Sequence, residues 1–198
     1  MRKLSPRKKI SNRAQTGSWF KVNRQSDSPK EEISKDVFKL WLDHGQQPQD
    51  AQYQYIVMPA TTEKEVENLK PSIEILSNTT DIQAVKNTAL NLYQMIFYKS
   101  GDIKMGNNLT IVMDSPGIVM IKTDGSAVKQ ISVADPSRKL RKIHLTINRK
   151  IEKTGDNVRV TWNASKGISE IAIDLPQTVY AGKSVTIKLW KENATYPT

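Results

Sequence analysis

The sequence contains two histidines, and one of them, His44, follows directly after a carboxylate, Asp43. An aspartate that orients a histidine produces a general base, which can take a proton from a substrate. Neighbouring residues of an extended chain point to opposite faces, however, so Asp43 is poorly placed to orient His44. We therefore expect both side chains to bond to backbone at a tight turn beside Gly45. The second histidine, His144, is expected on the solvent-facing side of a strand.

Most other patterns that carry chemistry are missing from the sequence. Because there is no cysteine, disulfides, thiolate metal sites and a cysteine nucleophile are excluded. There is no His-x-x-x-His or calcium-loop spacing, no glycine-rich phosphate loop and no Gly-x-Ser-x-Gly elbow. Paired carboxylates stay possible, since any two can meet in a fold. We predict no metal and no cofactor, and we assign no catalytic residue.

Binding chemistry is better represented, by a cluster of cationic side chains at residues 138–142. Arginine holds sulfate or carboxylate groups in two-point geometry, and lysine adds a point charge. We name Arg138, Lys139 and Arg141 as candidate substrate-binding residues. The alternative is a solvated strand edge, where lysine discourages pairing with another sheet.

Aromatic side chains offer a second kind of binding surface. The sequence has four tryptophans, at Trp19, Trp41, Trp162 and Trp190. An exposed indole ring can stack on a sugar, and a buried one can fill a β-sandwich core. The sequence favours a core position for Trp41 and Trp162.

The net charge is +10, and most of it lies near the start of the chain. Residues 1–30 hold nine Lys or Arg and a single acid, Asp27. Such an arm would bind a nucleic acid, an acidic polysaccharide or an anionic membrane. The alternative is a solvated and poorly ordered terminus.

The apolar pattern predicts an all-β protein made of short antiparallel strands. Asp124-Gly125 between two apolar runs is a strong hairpin signal. Residues 81–100 fit a buried helix or two strands, and their aromatic end favours strands. Strands are predicted at residues 16–23, 37–42, 53–58, 73–76, 109–113, 118–122, 127–133 and 142–147, and around Val158, Ile171 and Val185. A helix is predicted at 63–70, with Thr62 and Glu65 as a capping box.

Residues 41–59 spell Trp-x-Asp-His-Gly-x-x-Pro-x-x-Ala-x-Tyr-x-Tyr and end in Met-Pro. This stretch resembles the bacterial polysaccharide lyases that cleave hyaluronan, chondroitin and xanthan, polysaccharide lyase family 8. The family has a Thr-Gly-x-Trp-x-x-Ile-Asn segment shortly before that loop, and residues 16–23 are similar to it. Residues 73–76, 82–85 and 132–136 are similar to the family's C-terminal tail.

The resemblance implies a fold class and a domain division. Residues 1–72 would be the C-terminal portion of a large central antiparallel β-sandwich, and residues 73–198 a smaller C-terminal antiparallel β-sandwich. Residues 1–15 would pair with sequence that precedes them in a complete enzyme. The family's catalytic Asn, His, Tyr and Arg lie in a helical toroid whose motifs are not found here, and His44 is not the catalytic histidine.

The family reaction is β-elimination: a base removes the C5 proton of a uronate while an acid assists departure of the C4 oxygen. The resemblance therefore implies the non-catalytic end of such an enzyme, inactive by itself. Its partner would be an acidic polysaccharide such as a glycosaminoglycan, and the parent would be extracellular or periplasmic. No apolar run is long enough to span a membrane, and the first residues lack the apolar segment of a secretion signal.

Other functions and associations stay open from the sequence. A free-standing carbohydrate-binding sandwich would use the basic cluster and an exposed tryptophan. Nucleic-acid binding is the least favoured, because no aromatic-basic recognition motif accompanies the basic arm. Open sheet edges predict some self-association.

Overall fold

The computed structural model describes residues 7–68, 72–106, 108–151 and 156–189. Almost all of the regular structure is antiparallel β-sheet, which confirms the predicted all-β class. The chain divides into two compact units, the first ending at Thr62 and the second beginning at Glu63.

The first unit is built on a two-stranded sheet. Strand β1 (Arg7–Gly17) pairs with strand β2 (Ile33–Asp43), and the register runs from Arg7 opposite Asp43 to Gly17 opposite Ile33. A four-residue helix, α1 (Trp19–Val22), lies in the connection between them. Each strand has eleven residues, so at about 3.4 Å per residue the sheet is roughly 37 Å long.

Side chains of β1 and β2 separate into two faces, because paired residues share a face and neighbours alternate. The basic face carries Arg7, Lys9, Ser11, Arg13, Gln15, Gly17, Ile33, Lys35, Val37, Lys39, Trp41 and Asp43. The apolar face carries Lys8, Ile10, Asn12, Ala14, Thr16, Ser34, Asp36, Phe38, Leu40 and Leu42. Both faces are largely exposed.

Residues 7–15 belong to strand β1, which pairs with β2 along one edge, and pairing of these residues with preceding sequence stays a prediction. Two other sequence predictions for this unit are wrong. Residues 19–22 form α1 instead of continuing a strand. Residues 53–58 form no strand in the part of the chain that the structure describes, where no neighbouring strand offers them hydrogen bonds.

Trp41 was predicted in the core, but it is 43% exposed, since no second layer covers its face among the described residues.

The second unit is a β-sandwich. It begins with a short helix, α2 (Glu63–Glu67), followed by eleven strands. The strands are β3 (Ile73–Asn78), β4 (Ile82–Asn87), β5 (Leu92–Phe97), β6 (Gly101–Gly106), β7 (Leu109–Met113), β8 (Gly117–Asp124), β9 (Ala127–Ala134), β10 (Lys142–Ile147), β11 (Val158–Asn163), β12 (Ile168–Asp174) and β13 (Val185–Lys188). A 3₁₀ turn covers Thr178–Tyr180.

The strands form two antiparallel sheets that face each other across one core. One sheet has the order β11-β12-β10-β7-β6, and the other has the order β13-β9-β8-β5-β4-β3. Apolar side chains alternate inward along the central strands, as a half-buried antiparallel strand requires. Fully buried residues come from both sheets: Met95, Phe97, Val119, Ile121 and Ile131 from one, and Met105, Ile111, Met113, Ile143, Ile147, Ile171 and Ile173 from the other.

Local patterns predicted this unit well. Residues 81–100 contain two strands, β4 and β5, as the aromatic end indicated, and the Asp124-Gly125 hairpin joins β8 to β9. Strand β6 was not predicted. The described helix α2 ends at Glu67, short of the predicted Lys70, which lies outside the described residues. Trp162, predicted in the core, is 37% exposed because it lies on the edge strand β11.

We expect Ile143→Ala to lower the free energy of unfolding by about 3 kcal/mol, because the side chain is fully buried between the sheets and its loss leaves a cavity. Ile118→Ala is the matched control: this side chain is 37% exposed, so about 1 kcal/mol or less should be lost. Urea unfolding followed by tryptophan fluorescence measures both. Equal losses would contradict the placement of the core.

Candidate functional site

A buried carboxylate organises the loop that carries the predicted binding residues. Asp135 is only 4% exposed and follows β9. One carboxylate oxygen accepts hydrogen bonds from the backbone N–H of Ser137 (2.9 Å) and from its hydroxyl (2.6 Å). The other accepts from the backbone N–H groups of Lys139 (2.8 Å) and Leu140 (2.7 Å). The loop is therefore folded around the Asp135 side chain.

These hydrogen bonds also determine the ionisation of Asp135. Burial alone raises the pKa of the carboxyl, because the charged form loses hydration. The Ser137 hydroxyl and the three backbone donors outweigh that effect and hold the pKa of Asp135 below its ordinary value of 3.8. The loop thus contains a stable anion whose two oxygens accept four hydrogen bonds from neutral donors.

Arg138 adopts an unusual backbone conformation beside this carboxylate. Its φ of +61° lies in the left-handed region, and its backbone N–H donates to the carbonyl oxygen of Asp135 at 3.2 Å. The Arg138 side chain passes over Gly182, where a Cβ would lie 3.2 Å from Cγ and 3.5 Å from Nε of the arginine. Gly182 itself has a φ of +90°. Glycine at this position therefore permits both the turn and the close approach of the arginine.

A second segment lies against the Asp135 loop and is fixed to it by amide hydrogen bonds. The side-chain Nε2 of Gln177 donates to the carbonyl oxygens of Leu140 (3.2 Å) and Leu175 (3.0 Å). The backbone N–H of Leu175 donates to the carbonyl oxygen of Arg141 at 2.9 Å. These contacts place the 3₁₀ turn and the residues after it next to Arg138.

An open groove of about 420 Å³ lies between the two segments. It is lined by Pro136, Arg138, Val179, Tyr180, Ala181, Gly182 and Lys183. Tyr180 is 64% exposed, and Nζ of Lys183 lies 5.7 Å from the centroid of its ring. In a groove that an aromatic ring and two cations line together, the ring can stack on a sugar and the cations can bind a carboxylate or sulfate group.

The structure separates the three predicted binding residues. Arg138 lines the groove, whereas Lys139 and Arg141 are exposed outside its lining and contribute backbone groups to the loop. Their binding of substrate stays a prediction. Sequence reasoning missed Tyr180 and Lys183, although the run Tyr-Ala-Gly-Lys at residues 180–183 has an aromatic ring, a glycine and a cation within four positions.

In the first unit, the Asp43 side chain bonds to a turn as predicted. It accepts a hydrogen bond from the backbone N–H of Gly45 at 2.9 Å and forms an ion pair with Lys9. The hydrogen bond from Lys9, followed by that from Gly45, lowers the pKa of Asp43. The His44 ring lies 6.2 Å from the ring of Tyr53, so it contacts an aromatic neighbour rather than forming a dyad with Asp43.

His144 is exposed on β10, as predicted from the alternation of that strand. Within the residues described, no group of three or more His, Cys, Asp or Glu side chains is placed to hold a metal ion. Among the same residues, no helix has the length and apolar character needed to cross a membrane. Trp190 lies outside the described part of the chain.

Comparison with known families gives two matches that follow each other along the chain. Residues 5–70 match the polysaccharide lyase family 8 super-sandwich domain. Residues 74–144 match the polysaccharide lyase family 8 C-terminal β-sandwich domain. The groove residues from Val179 to Lys183 lie beyond the second match.

Individual relatives agree with these matches. The chain is 36% identical over 182 residues to chondroitinase-AC of Pedobacter heparinus, which covers 90% of this chain and 23% of the relative. It is 31% identical over 152 residues to a hyaluronate lyase of Thermasporomyces composti, which covers 75% of this chain and 16% of that protein. The chain thus spans less than a quarter of the length of these relatives.

Structural comparison points the same way. The fold superposes on a chondroitinase AC lyase solved in complexes with oligosaccharides, with a TM-score of 0.70 and 32% sequence identity. That match covers 92% of this chain and 25% of the other. The similarity therefore extends through both units of the chain.

Replacing the buried carboxylate tests whether it supports the groove. Asp135→Asn substitutes a donor for one acceptor oxygen, so at neutral pH we expect a loss of about 2 kcal/mol in the free energy of unfolding. Because the folded pKa is lowered, the carboxylate's stabilisation is present above 3.8 and is lost as pH falls through the folded pKa. The difference in the free energy of unfolding between wild type and variant should therefore become smaller in acid.

Urea unfolding at a series of pH values measures this gap. Asp102→Asn, on the exposed side of β6, is the matched control and should change stability little at any pH. A gap that stays constant into strong acid would contradict a role for the ionised Asp135 carboxylate.

Proposed function

The chain belongs to polysaccharide lyase family 8, and we propose that it forms the non-catalytic C-terminal β-domains of a lyase that cleaves a uronic-acid polysaccharide. The order of the two family matches, super-sandwich and then C-terminal sandwich, supports this assignment. The named relatives are a chondroitinase and a hyaluronate lyase. Chondroitin, hyaluronan or a similar acidic polymer is therefore the substrate class we propose for the parent enzyme.

The openness of the groove argues for binding rather than cleavage. β-Elimination requires a base held against C5, an acid near the C4 oxygen and a group that neutralises the uronate carboxylate. Such stabilisation is strong only where water is excluded. None of the residues that line the described groove is buried, so water screens Arg138, Tyr180 and Lys183.

The observation that carries a binding role is that Arg138, Tyr180 and Lys183 line one groove, with Nζ of Lys183 5.7 Å from the centroid of the Tyr180 ring. The arginine presents a planar group to an anion, the lysine adds a point charge, and the exposed ring offers a stacking surface. An acidic sugar combines a ring with an anionic group, so its chemistry fits this set of residues. We propose that the groove holds one part of the acidic polysaccharide.

The setting in which this binding occurs follows from the polymer. Acidic polysaccharides such as chondroitin and hyaluronan are found outside the cytoplasm, so we propose an extracellular or periplasmic location for the parent enzyme. We also propose self-association through open sheet edges, such as those of the two-stranded β1–β2 sheet in the described unit.

A free-standing carbohydrate-binding module is the second candidate, and the same groove favours it. Both candidates require binding of an acidic glycan by the chain. They differ in whether the chain operates as part of a lyase, which is tested by recovering activity when a catalytic domain of the family is supplied together with the chain.

We expect no lyase activity from the purified chain. The protein is mixed in turn with hyaluronan, chondroitin sulfates and xanthan, and the new C4–C5 double bond is followed by ultraviolet absorbance. An active family 8 lyase on the same polymer preparations is the positive control. Reproducible absorbance from the chain, abolished in His44→Ala or Tyr180→Phe, would contradict a non-catalytic role and identify which residue takes part.

The groove predicts a specific loss of binding. Arg138→Gln with Lys183→Gln should weaken binding to chondroitin sulfate about threefold to tenfold at low salt, because exposed ionic contacts each contribute little. Tyr180→Ala, made separately, should weaken binding at high salt as well as at low salt, because stacking on the ring persists where salt screens the charges.

The matched control is Lys104→Gln with Lys166→Gln, which removes the same charge from exposed positions elsewhere in the second unit. Lys139→Gln with Arg141→Gln tests the other two predicted residues separately. Affinity is measured on immobilised chondroitin sulfate at several salt concentrations. An equal loss in the groove variant and the control would mean that the groove binds no differently from the rest of the surface.

A further inference from the structure

The first unit contains an unassigned surface, the basic face of the β1–β2 sheet. Of the six basic residues on the two strands, five lie on this face: Arg7, Lys9, Arg13, Lys35 and Lys39. Its single carboxylate is Asp43, which lies at one end of the sheet and pairs with Lys9. The apolar face, by contrast, balances Lys8 against Asp36. Charge is therefore segregated between the two sides of one sheet.

Side-chain contacts agree with the division that the register gives. Nζ of Lys39 donates to Oε1 of Gln15 at 2.8 Å, and both residues belong to the basic face. On the opposite side, the hydroxyl of Thr16 lies 3.3 Å from that of Ser34, and both belong to the apolar face. The two faces are thus distinct surfaces of the sheet.

Trp41 is the aromatic residue of the basic face. It is 43% exposed, it pairs with Lys9 across the sheet, and Lys39 lies two residues before it on the same face. Positions two apart along a strand are separated by roughly 7 Å. Lys39, Val37 and Lys35 therefore extend from the indole ring in a row, and Arg13 lies opposite Val37.

We propose that the basic face is a second docking surface for an acidic polysaccharide chain, separate from the groove of the second unit. A sugar ring stacks on Trp41, and the carboxylate or sulfate groups that follow along the polymer meet Lys39, Arg13 and Lys35. The ligand class rests on the proposed function, and the surface itself rests on the register and charge of β1 and β2.

One feature favours a polysaccharide over a nucleic acid. Binding of single-stranded nucleic acid uses several aromatic rings, on which successive bases stack. Trp41 is the one aromatic side chain on the basic face of the described strands, since Phe38 belongs to the apolar face. The cations attract any anionic polymer, so the single aromatic ring is the feature that distinguishes the two classes.

The test uses the full chain and immobilised chondroitin sulfate. Arg13→Gln, Lys35→Gln and Lys39→Gln are combined, and Lys9 is kept because it pairs with Asp43. We expect roughly tenfold weaker binding at low salt, since three exposed ionic contacts are removed together. Trp41→Ala should weaken binding in a way that salt affects less.

Two further variants separate local contacts from net charge and from unfolding. The matched control is Lys8→Gln, Arg24→Gln and Lys104→Gln, which removes three exposed charges from outside the basic face. Arg13→Lys, Lys35→Arg and Lys39→Arg keep the charge and should keep the affinity. Thermal unfolding verifies that each variant remains folded.

Each outcome supports or overturns the proposal. A loss in the basic-face variant that exceeds the control supports it. An equal loss in the control, no loss in the basic-face variant, or stronger binding of a single-stranded oligonucleotide than of chondroitin sulfate through the same residues overturns it. Loss restricted to the Arg138 and Lys183 variant would overturn this inference while leaving the proposed function intact. Absence of glycan binding by the wild type would overturn both.

Discussion

Burial of apolar side chains between two sheets forces the chain of the second unit to cross from one sheet to the other, and the groove depends on two such crossings. The first runs from β9, in the six-stranded sheet, to β10 in the five-stranded sheet. The second runs back from β12 to β13. Because β9 pairs with β13 and β10 pairs with β12, the two crossings lie side by side. Asp135 folds the first around its carboxylate, and Gln177 ties the second to it.

This arrangement explains why the binding groups are exposed although the loop is well held. The Asp135 carboxylate and the Gln177 amide satisfy backbone groups, which leaves Arg138, Tyr180 and Lys183 without a structural task in the core. Fixed loops that present exposed side chains are common positions for binding. Less entropy is lost on binding when the loop that carries the contacts is already ordered.

A structural feature of this protein was predictable from the sequence when the residues that determine it are close together in the chain. Alternating apolar residues and turn residues are local, so the strands of the second unit and the Asp124-Gly125 hairpin follow from the sequence. The groove was not predictable, because Arg138 and Tyr180 are far apart in the chain and meet only through the strand order. Of the basic cluster, sequence reasoning therefore identified Arg138 but not the partners across from it.

In the first unit, burial was the property that the sequence could not predict. Its strand residues are apolar enough to suggest a core, and Trp41 was assigned to one on that basis. Burial, however, requires a second layer, and in the described residues neither face of the β1–β2 sheet has one. What the sequence does encode there is the face of the sheet on which each side chain lies. A shift of one residue in the register between β1 and β2 would mix the charged and apolar faces. The pairing of β1 with β2 thus converts a diffuse basic segment into an ordered row of cations.

A polymer is the class of ligand for which two weak, open surfaces are useful. Exposed ionic contacts are individually weak and screened by salt, so neither the groove nor the basic face would hold a small acidic sugar tightly. A long acidic chain repeats the same sugar and anionic groups, so each surface can bind any one of many equivalent positions along it. Proton abstraction from carbon has the opposite requirement, a closed site in which a few groups act without water. The exposure of these two surfaces therefore fits retention of a substrate chain, with the bond-breaking chemistry carried out by residues of another kind of site.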